Sequence, residues 1–280
     1  MRVTLDVFSG RPNPTWQLNA ARSAELYQRC RAMGSVAPRP LPARLGFRGI
    51  VVHQWDPMLG CAPAQAFQIA ATTNAVTDDD VDTARWLLAA SESAVDDDLA
   101  DAVIGDIAMR AAAAPLGDGD GDIDADDGLA VAVGACPIRA TPMSLAYWNN
   151  PSVQPFNNCY NYASNFVSGS LAQPGRRSGA SYAGFTCGQV LAAARRDGLR
   201  TDCAPNVGVV ALGIWPGYDF HWWRLHVDGE WAHKIGRWPA QNVDNSYRRL
   251  DNGLTPATCD RGPYVEFCGY YFVPPTMWVA

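Results

Sequence analysis

The feature that most constrains this chain is a series of apolar and aromatic segments in its last third, separated by short turns. The first segment, 207–215, is apolar throughout and predicts a buried strand. The later segments are 221–227, 230–235 and 264–273. Asp228-Gly229 lies between the second and third segments, and this dipeptide is typical of a tight hairpin turn. An antiparallel sheet with helices before it is therefore predicted, which is an α+β fold.

Length and composition predict two domains. The chain has 280 residues, 48% of them hydrophobic, which is enough for two ordinary cores. Residues 1–116 are predicted to form a small α/β domain, with strands at 3–8 and 47–53 and helices at 20–33, 77–91 and 96–114. Residues 130–280 form the second domain. The first domain carries no catalytic pattern, and we expect it to dock a protein partner or present a substrate.

Residues 117–129 consist mostly of glycine and aspartate and predict a flexible acidic linker between the domains. An EF-hand calcium loop requires a glycine and a closing glutamate at fixed positions, and neither register of this segment supplies both. No metal or cofactor is therefore expected.

Charge and hydropathy exclude some partners and set the expected location. The net charge of −6 does not favour a nucleic-acid partner, because such proteins normally present a basic face. The amino terminus has no apolar signal region, and no run is long enough to span a membrane. A cytoplasmic protein is expected, with export only by a dedicated secretion route. The eight cysteines form no CxxC pair and are expected to be mostly reduced, buried thiols, with one or two disulfides as the alternative if the protein is exported.

Cys159 lies where a polar loop is predicted to turn into a helix. Asn157 and Asn158 precede it and are good N-cap residues. A thiol at a helix N-terminus faces unsatisfied N–H groups and the positive end of the helix dipole. These lower a thiol pKa and favour a nucleophile. The alternative is that Cys159 is a small buried apolar side chain.

Three of the four histidines, His221, His226 and His233, lie in the predicted hairpin. A thiol nucleophile needs a base, and the base needs a group that orients it. A two-residue turn at Asp228-Gly229 would put His221 and His233 on opposite faces of the hairpin. A three-residue loop with a glycine bulge puts them on the same face as diagonal neighbours. A Cys-His-His triad therefore requires the bulged turn.

The spacing of these residues resembles a known family. Tyr147 lies twelve residues before Cys159, and His233 lies twelve residues after His221. With a cysteine that begins a helix and histidines on a later hairpin, residues 140–236 resemble the NlpC-type cell-wall peptidases, which are bacterial papain-like cysteine hydrolases. The resemblance implies a papain-like C-terminal domain. It implies that Cys159 is the nucleophile, His221 the base and His233 the orienting residue, and that Tyr147 helps to hold the oxyanion.

The chain also departs from that family close to these residues. Asn158 and Tyr160 stand where the family usually has aspartate and serine, and Trp148 is followed by two asparagines instead of two glycines. These departures affect the expected substrate more than the expected chemistry.

Two roles in this constellation have alternatives. Gln154 could supply the oxyanion amide instead of Tyr147. Asp244 or Asn245 could orient the base instead of His233.

Other residues near the constellation have two interpretations each. Cys187 also opens a predicted helix and is a second candidate nucleophile. Cys159 with two histidines could instead hold zinc, although no paired ligand spacing supports this. Trp222 is a candidate wall of a substrate cleft. Arg176, next to Arg177, is either part of a solvated loop or a clamp for a substrate carboxylate.

The chemistry implied is amide hydrolysis. Cys159 would attack an amide carbonyl, and the thioester acyl-enzyme would pass to water. The substrate would be a peptide of the peptidoglycan type or another small amide. Acyl transfer to an amine is one alternative, because the same intermediate serves both reactions. A non-catalytic binding or matrix module with an inert papain-like fold is the other. Residues 158–163 and 172–176 are also similar to segments of certain shell-matrix proteins, a less specific likeness.

Overall fold

The computed structural model describes residues 1–32, 44–53, 67–69, 78–112, 136–251 and 253–280. The chain divides into two compact units. The first comprises residues 1–7, 13–42 and 47–120, and the second comprises 8–12, 43–46 and 121–280. The predicted linker lies outside the described residues, so the predicted domain boundaries stay a prediction, as does a docking role for the first domain.

The first unit has one antiparallel sheet and three helices among its described residues. Its elements are β1 (Arg2–Asp6), β2 (Thr15–Gln17), α1 (Ala20–Ala32), β3 (Gly49–His53), β4 (Phe67–Ile69), α2 (Asp78–Ala89) and α3 (Asp97–Ala112). The strand order is β2-β1-β3-β4. Val3 pairs with Val52 and Leu5 with Ile50, and all four side chains are buried. β4 was not among the strands predicted from the sequence.

The second unit has a five-stranded antiparallel sheet with short helices. Its helices are α4 (Leu145–Trp148), α5 (Cys159–Ser164) and α6 (Cys187–Arg196), and its strands are β5 (Gly208–Trp215), β6 (Asp219–Leu225), β7 (Trp231–Lys234), β8 (Ala240–Gln241) and β9 (Glu266–Val273). The strand order is β8-β7-β6-β5-β9. Helix α5 packs on β6 and β7, and α6 packs on β5 and β9. The chain is therefore a mixed α+β protein with antiparallel sheets, as predicted.

The central strands of this sheet are buried on both faces. On one face Trp222 packs with Leu212 in the cluster that also contains Cys159. On the other face Trp223 packs with Trp231 and Tyr264. Because successive side chains of a strand point to opposite faces, neighbouring residues of β6 enter different cores. Successive residues of β5 enter the two cores in the same way, which explains the continuous apolar run of that strand.

The hairpin between β6 and β7 has the bulged turn that the triad prediction required. Trp223 pairs with His233, and the backbone N–H of His226 donates to the carbonyl of Glu230 at 2.9 Å. Gly229 has φ 81°, a left-handed conformation that glycine adopts without a steric cost. The predicted register is thus confirmed.

Lys234, the only lysine in the sequence, holds the segment before α5 against the loop after β7. Its buried Nζ donates to the carbonyl oxygens of Gln154, Asn157 and Gly236, each at 2.6 Å, and lies 2.9 Å from that of Trp238. Burial lowers the pKa of Lys234 to about 7. This amine fixes the backbone that leads into the helix of Cys159.

Two disulfides cross-link the second unit. Cys136 is bonded to Cys203, and Cys187 is bonded to Cys268. The expectation of mostly reduced thiols is therefore wrong for these four residues. Spacing alone could not indicate these pairs, because the partners are 67 and 81 residues apart. None of the helices in the described parts of the chain is both long and apolar enough to cross a membrane.

Candidate functional site

Cys159 begins helix α5, as predicted. The side chain of Asn158 accepts hydrogen bonds from the backbone N–H groups of Tyr160 and Asn161. The side chain of Asn161 in turn accepts from the backbone N–H of Asn158. This reciprocal capping box satisfies the first free donors of the helix. The Asn158 amide also donates to the carbonyl of Gly10 at 2.7 Å, so the cap is tied to the N-terminal segment 8–12.

The thiol of Cys159 is closed off from solvent. Its exposed fraction is 0%, and Sγ lies 3.9 Å from the carbonyl oxygen of Phe220. Burial raises the pKa of Cys159 well above its ordinary value, and the charge of Asp219 raises it further. The expected low-pKa thiolate is therefore wrong, because the cost of removing a charge from water exceeds the help from a six-residue helix. The thiol packs as a small apolar side chain among Tyr160 and Trp222.

His221 and His233 meet as the bulged hairpin predicts. His221 Nε2 lies 2.7 Å from His233 Nδ1, and His233 Nε2 lies 2.8 Å from the carbonyl oxygen of Val243. That carbonyl can only accept, so His233 Nε2 carries a proton and donates it. Burial lowers the pKa of His233 to about 4, so the ring is neutral and its Nδ1 accepts from His221 Nε2–H. His233 therefore fixes the tautomer of His221.

The other nitrogen of His221 faces Ser9 and not a thiol. His221 Nδ1 lies 2.7 Å from Ser9 Oγ, and with the tautomer above the serine hydroxyl is the donor. Both ring nitrogens are thus engaged, by Ser9 and by His233. His221 shares its sheet face with Trp223, 4.4 Å away between ring centres, whereas Cys159 packs on the opposite face. The alternation of β6 separates the predicted nucleophile from the predicted base.

Ser9 belongs to a loop that is clamped onto the carboxylate of Asp219. The backbone N–H groups of Ser9, Gly10 and Arg11 donate to this carboxylate at 2.7, 3.0 and 2.9 Å, and the Tyr264 hydroxyl lies 2.5 Å from it and 2.6 Å from Ser9 Oγ. Despite these donors, complete burial raises the pKa of Asp219.

Gly10 is required at this approach of the two segments. A Cβ atom there would lie 2.4 Å from the carbonyl oxygen of Phe220. No local signal in the sequence links Ser9 to a histidine 212 residues later.

The two candidate oxyanion donors have other contacts than Cys159. The Tyr147 side chain is 54% exposed and lies against Trp148. The Gln154 side-chain amide donates to the carbonyl of Arg237 at 3.3 Å, while the backbone carbonyl of Gln154 accepts from Lys234. Neither side chain is placed by its contacts to stabilise charge beside the thiol.

The candidate substrate-binding residues have structural partners. Trp222 is fully buried, packs on Tyr160, and does not line an open cleft. The exposed Arg176 donates to Ser170, to the carbonyl of Leu171 and to the carbonyl of Ala280. The Arg176 guanidinium therefore binds its own loop and the carbonyl of Ala280, which agrees with the solvated-loop alternative.

The alternative orienting residues are also engaged. Asp244 accepts from the Arg248 guanidinium at 2.8 and 3.0 Å, and Asn245 accepts from the backbone N–H of Leu45 at 2.6 Å. His233 occupies the orienting position instead of them. Cys187 is bonded to Cys268, so it is not a free nucleophile.

The arrangement contains a hydroxyl–imidazole–imidazole chain that is sealed inside the second unit. Ser9, His221 and His233 are each 0% exposed. The Ser9 hydroxyl is therefore closed to a substrate carbonyl in this structure. In the parts of the chain that the structure describes, no three histidine, cysteine, aspartate or glutamate side chains are grouped to hold a metal ion. The chain of hydrogen bonds therefore acts as a buried polar connection between segments.

Comparison with known proteins gives one informative likeness. No family model matches the chain, and no solved structure matches it. Over 143 residues it is 44% identical to insoluble matrix shell protein 1 of Ruditapes philippinarum. The aligned region covers 50% of this chain and 93% of that relative.

This likeness corrects several expectations. The relative is named as a matrix protein of a shell, so the prediction of a bacterial cysteine peptidase or amidase is wrong, and so is the acyl-transfer alternative. The expected cytoplasmic location is also wrong, since it conflicts with this relative and with the two disulfides. At 44% identity over nearly the whole of the relative, the chain belongs to the family of insoluble matrix shell protein 1.

Proposed function

We propose that this chain is a non-catalytic structural protein of an extracellular shell matrix. The observation that carries the proposal is its membership of the family of insoluble matrix shell protein 1. The non-catalytic matrix module was one of the alternatives that the sequence left open, and it agrees with the buried state of Cys159 and Ser9.

The disulfides support the extracellular part of the proposal. Disulfides persist in oxidising compartments and are rare in the cytosol, where thiols are kept reduced. The Cys136–Cys203 and Cys187–Cys268 bonds tie segments that are far apart in the sequence of the second unit. Such bonds suit a protein that must keep its fold in a matrix without cellular repair.

We further propose that the second unit has an inert papain-like fold. Three features support this: Cys159 at the start of a helix, that helix packed on β6 and β7, and the His221–His233 pair across the hairpin. In this proposal the segment 8–12 fills the space that a substrate would need. The papain-like arrangement would then serve as a scaffold.

The matrix role is tested by fractionating mineralised tissue of the source organism. After demineralisation in acid, peptides of this chain are quantified by mass spectrometry in the soluble extract and in the insoluble residue. We expect enrichment in the insoluble residue. Recovery only in a cell extract, with none in the matrix, would refute the proposal.

The absence of catalysis is tested by thiol reactivity. Native protein is treated with iodoacetamide at pH 7, and the labelled cysteines are mapped. We expect Cys159 to react no faster than Cys259, a second buried cysteine whose pKa burial raises to about 12. Labelling of Cys159 within minutes, and slower labelling in His221→Ala, would show an activated thiolate and overturn the non-catalytic assignment.

A further inference from the structure

A cationic cleft lies on the second unit, apart from the Ser9–His221–His233 chain. It has a volume of about 200 Å³. The residues that line it include Arg139, Asn165, Phe166, Arg224, Val273 and Met277. This lining contains two arginines and no acidic side chain. We call this space the arginine cleft.

Arg224 is the unusual member of the cleft, because it is a buried cation without a carboxylate. Its exposed fraction is 4%. Nη1 donates at 2.7 Å both to the carbonyl of Tyr162 and to the Asn165 side chain. Nε is buried and has no hydrogen-bond partner among the described residues. No aspartate or glutamate of the described chain forms an ion pair with it.

An uncompensated buried charge is costly, so a cation in this state favours an anionic ligand. The guanidinium stays charged because the pKa of arginine is far above neutrality. It is also held rigidly, since Cζ lies 4.3 Å from the centre of the Tyr162 ring. A fixed, buried guanidinium with an unpaired Nε–H group is a preorganised anion site.

The other residues that line the cleft indicate which kind of anion it would bind. The planar fork of arginine matches a carboxylate in bidentate geometry. The exposed Arg139 adds a second positive charge at the same cleft. Phe166, Val273 and Met277 supply an apolar wall that suits the alkyl part of a carboxylate better than a fully hydrated inorganic dianion.

We propose that the arginine cleft binds a carboxylate group, with Arg224 as the principal partner and Arg139 as the second cation. The carboxylate comes either from a free small acid or from an aspartate or glutamate side chain of another polypeptide. The site does not depend on the proposed matrix role.

The test follows the unpaired Nε–H group of Arg224. In the full-length, disulfide-bonded protein labelled with ¹⁵N, the arginine Nε–H resonances are recorded while sodium acetate, or an N-acetylated glutamate amide, is added at constant ionic strength. We expect one Nε–H resonance, absent in Arg224→Lys, to shift and saturate. A lower half-saturation concentration for the glutamate amide than for acetate would indicate a side-chain source, and the reverse would indicate a free acid.

Variants decide whether the cleft is responsible. Arg139→Ala should raise the half-saturation concentration about two- to fivefold, as expected for an exposed charge pair. Arg139→Glu should raise it further. Arg195→Ala removes an exposed arginine outside the cleft and should change nothing. Because Arg139 and Arg195 are both exposed, these variants keep the test decisive even if Arg224→Lys fails to fold.

Three results would overturn the proposal. One is the absence of any saturable shift up to 100 mM of either carboxylate. Another is an Arg139→Glu variant that binds as the wild type does. The third is sulfate binding as tightly as acetate, which would make the cleft a general anion site with no preference for carboxylates.

Discussion

Replacing Lys234 with methionine tests whether one buried amine holds the site together. Methionine has nearly the same length and keeps the apolar stem, so the substitution removes mainly the ammonium group. The ammonium of Lys234 has three N–H groups and four carbonyl oxygens within 2.6–2.9 Å. Two of these carbonyls precede helix α5 and two follow strand β7, so the loss would separate the two segments.

The magnitude follows from two opposing contributions. Each hydrogen bond to a charged donor contributes about 1.5–3 kcal/mol to stability, and the burial of the ammonium costs several kcal/mol. Removing the ammonium recovers the burial cost but leaves the carbonyls without their donor. Each buried carbonyl left without a donor costs about 1–3 kcal/mol, and the recovered burial cost offsets part of this, so we expect a net loss of about 2–4 kcal/mol, which is a large part of the stability of an ordinary domain.

The assay is urea unfolding with the disulfides intact, followed by tryptophan fluorescence. Burial lowers the pKa of Lys234 to about 7, so the assay is run at pH 6, where the amine carries its proton. Arg237→Met is the matched control. Its exposed guanidinium donates at 2.7 Å to the carbonyl of Pro155, between the two carbonyls that Lys234 holds. We expect a loss below about 1 kcal/mol for the control.

A clear outcome would contradict this reasoning. If Lys234→Met and Arg237→Met lost the same small free energy of unfolding, with unchanged urea dependence, the buried amine would not stabilise the segment before α5.

Three further predictions concern the same unit. The double variant Cys187→Ala/Cys268→Ala opens a loop of 81 residues and should lose about 2–4 kcal/mol of unfolding free energy in urea; an unchanged midpoint would contradict this. Burial lowers the pKa of His226 and of His233 to about 4, so the unfolded chain binds these protons first. The stability that these two neutral histidines contribute should therefore be complete above pH 6.5 and fall by about 1.4 kcal/mol per pH unit and per histidine toward pH 4; His226→Gln should reduce that slope, and an equal slope would refute the cause. Asp219→Asn replaces a carboxylate oxygen with an NH₂ group that faces backbone donors, so amide exchange in the segment 8–12 should accelerate at least tenfold, whereas unchanged protection would show that the carboxylate does not hold this segment.

The local sequence pattern was sufficient to predict the elements around the site and one contact between two strands. The predicted strand 207–215 is observed as Gly208–Trp215, and the predicted helix at Cys159 begins at that residue. The register of the hairpin followed from the conformation that glycine allows at the bulge. That register brought His221 within hydrogen-bond distance of His233.

Local pattern failed where the partner was remote. The sequence places Cys159 at a helix start, which by itself favours a reactive thiolate. The fold buries this residue beside Phe220, and desolvation then outweighs the helix. Ser9 was not a candidate, because its contact with His221 depends on the segment 8–12 joining the second unit.

By itself the sequence determined most of the longer helices and strands and, for a given turn, the face that each histidine occupies, because these depend on backbone preferences and on the two-residue period of a strand. Only the tertiary structure decided which groups became neutral, which cysteines became bonded and which residue met His221. Those outcomes depend on burial and on contacts between segments 67 to 212 residues apart, and neither is encoded in local spacing.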